Sequence, residues 1–101
     1  PNPFVNATCF QFEHNMENQE LDVQVDVYTV SGRLVKTLEQ RIISEGSRLS
    51  NGNCIQWDGR DDFGDPLAKG VYLYKVRVEA LNTGEAEIKG ESEFQKLVIL
   101  R

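Results

Sequence analysis

At 101 residues, 40% of them hydrophobic and 27% charged, the chain is long enough for one ordinary domain with a real core and too short for two. Sixteen acidic against eleven basic residues give a formal net charge of -5, which disfavours binding to nucleic acid or anionic lipid through bulk charge. The longest apolar run, Leu97 to Leu100, falls far short of the roughly 20 residues of a membrane-spanning helix, so no direct membrane insertion is expected.

The opening Pro1-Asn2-Pro3-Phe4 carries no basic-then-apolar leader and reads as the start of a domain excised from a longer protein. Thr8, Phe10 and Phe12 then alternate with Cys9, Gln11 and Glu13 in a first predicted strand, and the polar stretch from His14 to Glu20 reads as a turn. Leu21, Val23, Val25 and Val27 alternate with Asp22, Gln24, Asp26 and Tyr28, the cleanest half-buried strand in the chain. Ser31-Gly32 follows as a two-residue hairpin loop, Gly supplying the positive φ of a tight turn. That loop places Leu21, Val25 and Thr29 opposite Ile42, Leu38 and Leu34 on one face and Asp22 opposite Arg41 on the other.

Ser44 to Asn53 reads as a polar loop and Cys54 to Trp57 as a short strand, with Trp57 a plug between two sheets. Asp58 to Gly70 is a loop rich in Asp, Gly and Pro. Val71 to Ala80 is a second long strand with Tyr72, Tyr74, Val76 and Val78 on one side and Val71, Leu73, Lys75 and Arg77 on the other. Asn82-Thr83-Gly84 turns it, a charged segment follows, and Glu93 to Leu100 is the final strand, the last element before Arg101. Strands separated by turns, with no helical period, predict an all-β fold: an immunoglobulin-like antiparallel β-sandwich of about seven strands. Residues 1–101 are expected to form a single domain.

Few residues offer chemistry. Cys9 and Cys54 lack further Cys or His at ligand spacing, which sets zinc aside and leaves two readings open: a disulfide suited to an oxidising compartment, or two small buried hydrophobes. Asp58, Asp61, Asp62 and Asp65 invite a calcium reading, but the EF-hand pattern fails. Counted from Asp58, its glycine falls one residue late, on Gly64, and its twelfth position is Lys69 instead of Glu. The simpler expectation is a solvated turn whose Asp side chains cap backbone amides. His14, the only histidine, has no assignable partner, and neither a nucleophile elbow nor a phosphate-cradling glycine loop is present. The expectation is a non-catalytic domain with no catalytic residue, no metal site and no cofactor. Tyr72, Tyr74 and Trp57 offer the alternative of an aromatic platform for sugars on an accessory binding module.

Three blocks carry a resemblance: Val25 to Leu38 with its Ser31-Gly32-Arg33-Leu34 turn, Trp57-Asp58-Gly59-Arg60-Asp61, and Gly70-Val71-Tyr72-Leu73-Tyr74-Lys75-Val76. Together they resemble the immunoglobulin-like domain shared by the flagellar hook-capping protein FlgD and the C-terminal sorting domains of the type IX secretion system of Bacteroidota. Pro1-Asn2-Pro3-Phe4 and Gln95-Lys96-Leu97-Val98-Ile99 look like the two ends of such a sorting domain. Phe12-Glu13-His14-Asn15 and the block from Trp57 to Val78 look most like the C-terminal domain of that system's sortase, a gingipain-like cysteine-peptidase relative whose catalytic residues would lie upstream. Cys9 and Cys54 match neither of them. The resemblance implies transit through the periplasm, then residence at the outer membrane and cell surface, with a PorV-like outer-membrane β-barrel as docking partner. An ordinary exported cargo protein of the same system is the other parent it allows. Lys96, Leu97, Val98, Ile99, Leu100 and Arg101 are the candidate partner-binding residues, because a final strand offers an edge and a terminus for capture.

Overall fold

Alternation of valines with polar residues over β2 (Glu20–Thr29) drives the architecture, because a strand with one apolar face must bury it against something. In the computed structural model, which describes residues 8–10, 20–45, 48–49, 55–80 and 89–100, Leu21, Val23, Val25 and Val27 are all fully buried. β2 lies between β3 (Leu34–Glu45) and β6 (Gly70–Ala80), antiparallel to both. β4 (Arg48–Leu49) pairs with the far end of β3, while β7 (Lys89–Glu91) and β8 (Gln95–Ile99) share the outer edge of β6. A second sheet consists of β1 (Thr8–Phe10) and β5 (Ile55–Trp57), paired Thr8 to Trp57 and Phe10 to Ile55. The core fills the space between the sheets. Phe10, Ile55 and Trp57 come from the small sheet, and Val76, Val78, Leu97 and Ile99 join the β2 residues from the large one. The Phe10 ring stacks on Trp57 at 5.9 Å between centroids and meets Tyr74 across the core at 4.7 Å.

The expected sandwich is therefore present, all-β and antiparallel, with eight strands among the described residues where about seven were expected. The expected register holds from Leu21 opposite Ile42 through Asp22 opposite Arg41 to Val25 opposite Leu38. At the turn it shifts by one: Leu34 faces Tyr28, not Thr29. The loop is Val30-Ser31-Gly32, closed by Gly32 N–H donating to Thr29 O at 3.0 Å and Thr29 N–H to Arg33 O at 2.9 Å. Gly32 supplies the positive φ of 95° that this turn requires, and the register returns to the expected one between Tyr28 and Val27, where Val35 is the extra residue of β3.

The stretch from Ser44 to Asn53 is not loop throughout. β3 continues to Glu45, and Arg48–Leu49 folds back on it. Lys89–Glu91 is also a strand, held to Arg77, Val78 and Glu79 by the edge of β6, not by any apolar alternation of its own. The final strand starts at Gln95, two residues later than expected, because the chain bulges over Ser92–Phe94 between its two pairings with β6. Ser92 fastens this bulge: its N–H donates to Val76 O at 2.8 Å and its Oγ accepts from Val76 N–H at 2.9 Å. Phe12, His14 and Cys54 lie outside the described residues.

Candidate docking site

β8 packs with two faces of opposite character. Leu97 and Ile99 point inward and are fully buried, opposite Tyr72 and Gly70 of β6. Lys96 is exposed and Val98 half-buried on the other face, opposite Leu73 and Val71, and Leu100 beyond the strand is 49% exposed. Of the six residues expected to bind a partner, Leu97 and Ile99 are thus committed to the core. The surface of the segment is supplied by Lys96, Leu100 and part of Val98, and Arg101 lies outside the described residues.

The loop from Asp58 to Lys69 runs from the end of β5 to the start of β6, and its acids cap backbone amides as the simple turn reading expects. Asp58 Oδ1 accepts from Arg60 N–H at 3.1 Å. Asp61 Oδ1 accepts from both Phe63 N–H and Asp65 N–H at 2.9 Å. Asp62 joins the loop to β3, with its N–H donating to Val35 O at 3.2 Å and its carboxylate 3.5 Å from Lys36 Nζ. Arg60 Nη1 donates to Gly64 O at 2.9 Å, and Trp57 Nε1 to Arg60 O at 2.9 Å. The Asp58 and Asp61 side chains are therefore spent on the turn's own geometry and that of Asp62 on its tie to β3, and among the described residues no three His, Cys, Asp or Glu side chains gather as metal ligands. At the tip of this pinned turn Phe63 is 91% exposed. Its exposure has no signature in the sequence, since one aromatic in a polar loop does not announce whether it folds inward.

A shallow cleft of about 610 Å³ opens beside the loop, between Lys36 and Leu38 of β3, Cys9 and Gln56 of the small sheet, and Asp58 at the start of the loop. Cys9 is disulfide-bonded, so the sulfur there is no thiolate nucleophile. Of the two cysteine readings this is the oxidised one. The chain's other cysteine, Cys54, lies outside the described residues.

The outward face of the large sheet departs from a plain solvent side at Asp26, and at Asp22, one of whose carboxylate oxygens is buried without a hydrogen-bond partner among the described residues. Asp26 is only 5% exposed, because Gln24, Thr37 and Arg77 close over it. Its Oδ1 accepts from Gln24 Nε2 at 3.0 Å and Thr37 Oγ1 at 3.1 Å, and its Oδ2 from Arg77 Nη2 at 2.9 Å. A carboxylate so fully satisfied serves the sheet. The suggested sugar platform fails on burial. Trp57 is in the core, Tyr72 is buried with its hydroxyl donating to Ala68 O at 2.8 Å, and Tyr74 packs against the core with its hydroxyl on Gln95 Oε1 at 2.9 Å. None of the three presents an open ring face. Burial raises the pKa of the Tyr74 phenol above its ordinary value.

A small antiparallel sandwich of two sheets around one core, with an exposed strand-end segment and a pinned loop beside it, defines an immunoglobulin-like domain. The chain matches the FlgD Ig-like domain over residues 4–84 and belongs to that family. Among solved structures it is similar to PorU from Porphyromonas gingivalis, described as a dimeric latent form, with 28% sequence identity and a TM-score of 0.75. That match covers 99% of this chain and 9% of PorU, so the chain spans less than a tenth of that relative's length. No curated protein matches.

Proposed function

We propose that this domain is a non-catalytic C-terminal sorting and docking module of a type IX secretion protein, related to the part of PorU that it matches. In this reading the parent protein crosses the periplasm, reaches the outer membrane and is held at the cell surface by docking to a PorV-like β-barrel. The observation that carries the proposal is the likeness to PorU over 99% of the chain at 28% identity. The β8 end supports it: Lys96 and Leu100 are exposed beside a rigid core, as a docking segment requires. The parent is then a gingipain-like peptidase with its catalytic residues elsewhere, or an exported cargo protein bearing the same module.

The test is binding of the full chain to the purified PorV-type barrel in detergent, measured by calorimetry. A defined complex is expected, weakened by Lys96→Glu combined with Leu100→Ser while the melting temperature stays within a few degrees. Absence of any complex contradicts the proposal.

A further inference from the structure

β3 is the outermost long strand on its side of the large sheet, at the edge opposite β8, and among the described residues only its two ends are covered. At one end β4 pairs with Ser44 and Glu45. At the other Asp62 closes on it, its N–H donating to Val35 O at 3.2 Å and its Oδ1 accepting from Thr37 N–H at 3.3 Å. The Thr37 N–H therefore points away from β2, and in an antiparallel ladder alternate residues turn both backbone groups to the same side. Glu39 and Arg41 follow that period, so their N–H and C=O groups face out along the edge, and among the described residues no strand pairs with them there. The open stretch from Leu38 to Ile43 is about 20 Å long and bounded at both ends. Such an edge is a template for an added strand.

The side chains specify what would be added. Leu38 and Ile42 pack against the core from the inner face, yet both are only half-buried, and Gln40 between them is exposed, since the small facing sheet does not cover them. Beside Leu38 the cleft lined by Thr8 and Trp57 is open to an entering side chain, and its charged residues Lys36 and Asp58 are paired with Asp62 and Arg60. On the outer face Glu39 and Arg41 are exposed, and among the described residues neither makes an ion pair or a side-chain hydrogen bond. Their neighbours on β2 are Gln24, engaged with Asp26, and Asp22, which stands across from Arg41 without pairing with it. An antiparallel strand gains most by setting apolar, acidic, polar, basic and apolar residues, in that order, opposite Ile42, Arg41, Gln40, Glu39 and Leu38. Leu38 to Ile42 itself has this pattern, but a second copy lacks room. Pairing about Gln40 would set its Ser44 and Glu45 opposite Lys36 and Val35, where its own β4 and the first copy's Asp62 already stand.

We propose that the β3 edge takes up, by strand addition, a short extended segment of another protein with this apolar-acidic-polar-basic-apolar pattern, its backbone exchanging hydrogen bonds with Glu39 and Arg41. The site is separate from the β8 end, and its test uses no barrel. The full chain, labelled with ¹⁵N, is titrated with the synthetic peptide acetyl-Thr-Ile-Asp-Thr-Lys-Val-Thr-amide and with its charge-swapped form, acetyl-Thr-Ile-Lys-Thr-Asp-Val-Thr-amide. Expected are amide shifts centred on Glu39 and Arg41, with the first peptide bound about fivefold more tightly than the second. A Glu39→Lys, Arg41→Glu double variant should reverse that preference at a melting temperature within a few degrees of wild type. The wild-type preference decides by itself if the double variant does not fold. No shift at Glu39 and Arg41, or equal binding of the two peptides by wild type, overturns the proposal. So does a dimer in sedimentation whose Glu39 and Arg41 amides are protected from exchange, which would give the edge to a second copy.

Discussion

The indole N–H of Trp57 donates to the carbonyl oxygen of Arg60 at 2.9 Å, so the residue that plugs the core also holds the start of the loop that presents Phe63. Core packing and loop geometry are coupled through that bond, and the coupling is open to separation by substitution. Trp57→Ala should cost on the order of 3 to 5 kcal/mol through the cavity it leaves. Trp57→Phe keeps a ring against Phe10 but removes the donor, and a smaller loss of about 1 to 2 kcal/mol is expected. Urea denaturation of the two variants measures both, and native fluorescence of the wild type should resemble buried, not free, tryptophan.

Asp26 offers a second test, because its carboxylate gathers three donors from three different strand positions. Asp26→Ala leaves the Thr37 hydroxyl and the Gln24 amide without their acceptor on a covered face. A destabilisation of roughly 1 to 3 kcal/mol is expected. Arg77 is half-exposed and returns to water, so a double mutant with Arg77→Ala should fall close to Asp26→Ala alone.

At the bulge between β7 and β8, Ser92→Ala removes the acceptor of the Val76 amide. The expected cost is about 1 to 3 kcal/mol, the range for an orphaned buried donor. Hydrogen exchange at Val76 should accelerate more than exchange at Val25 in the middle of β2. Equal acceleration at both would mean that the bulge unfolds only with the whole sheet.

The raised pKa of Tyr74 gives the domain a pH dependence at its alkaline end. Because the folded phenol holds its proton more tightly than the unfolded one, its contribution is fully present below the ordinary tyrosine pKa of about 10 and is lost as pH rises through the higher folded value. Stability followed from pH 8 upward should decline through this window, and Tyr74→Phe should flatten part of the decline.

Much of this fold is legible in the sequence where burial imposes a period. β2 announces itself through four alternating apolar residues, and its pairing with β3 follows from making Leu21, Val25 and Asp22 meet suitable partners at once. The slip at the turn was not legible, since Ser31-Gly32 suits a two-residue loop and a three-residue loop with a bulge equally well. β7 was not legible either, because Lys-Gly-Glu is a strand only by virtue of the β6 edge beside it. The covering of Asp26 depends on Arg77, 51 residues away, a pairing no local pattern reveals. In the candidate site, β8 could be placed from its alternation, while the exposure of Phe63 follows from a hydrogen-bonded turn that composition alone does not specify.

The most direct test of the central claim is delivery to the cell surface. Residues 1–101 are fused to the C-terminus of a neutral periplasmic reporter and expressed in a strain with an intact type IX system and in one lacking the PorV-type barrel. Reporter exposure is then measured by its accessibility to added protease on whole cells. The account predicts surface exposure in the first strain and periplasmic retention in the second. Retention in the periplasm of both strains, with the fused domain folded, would contradict it.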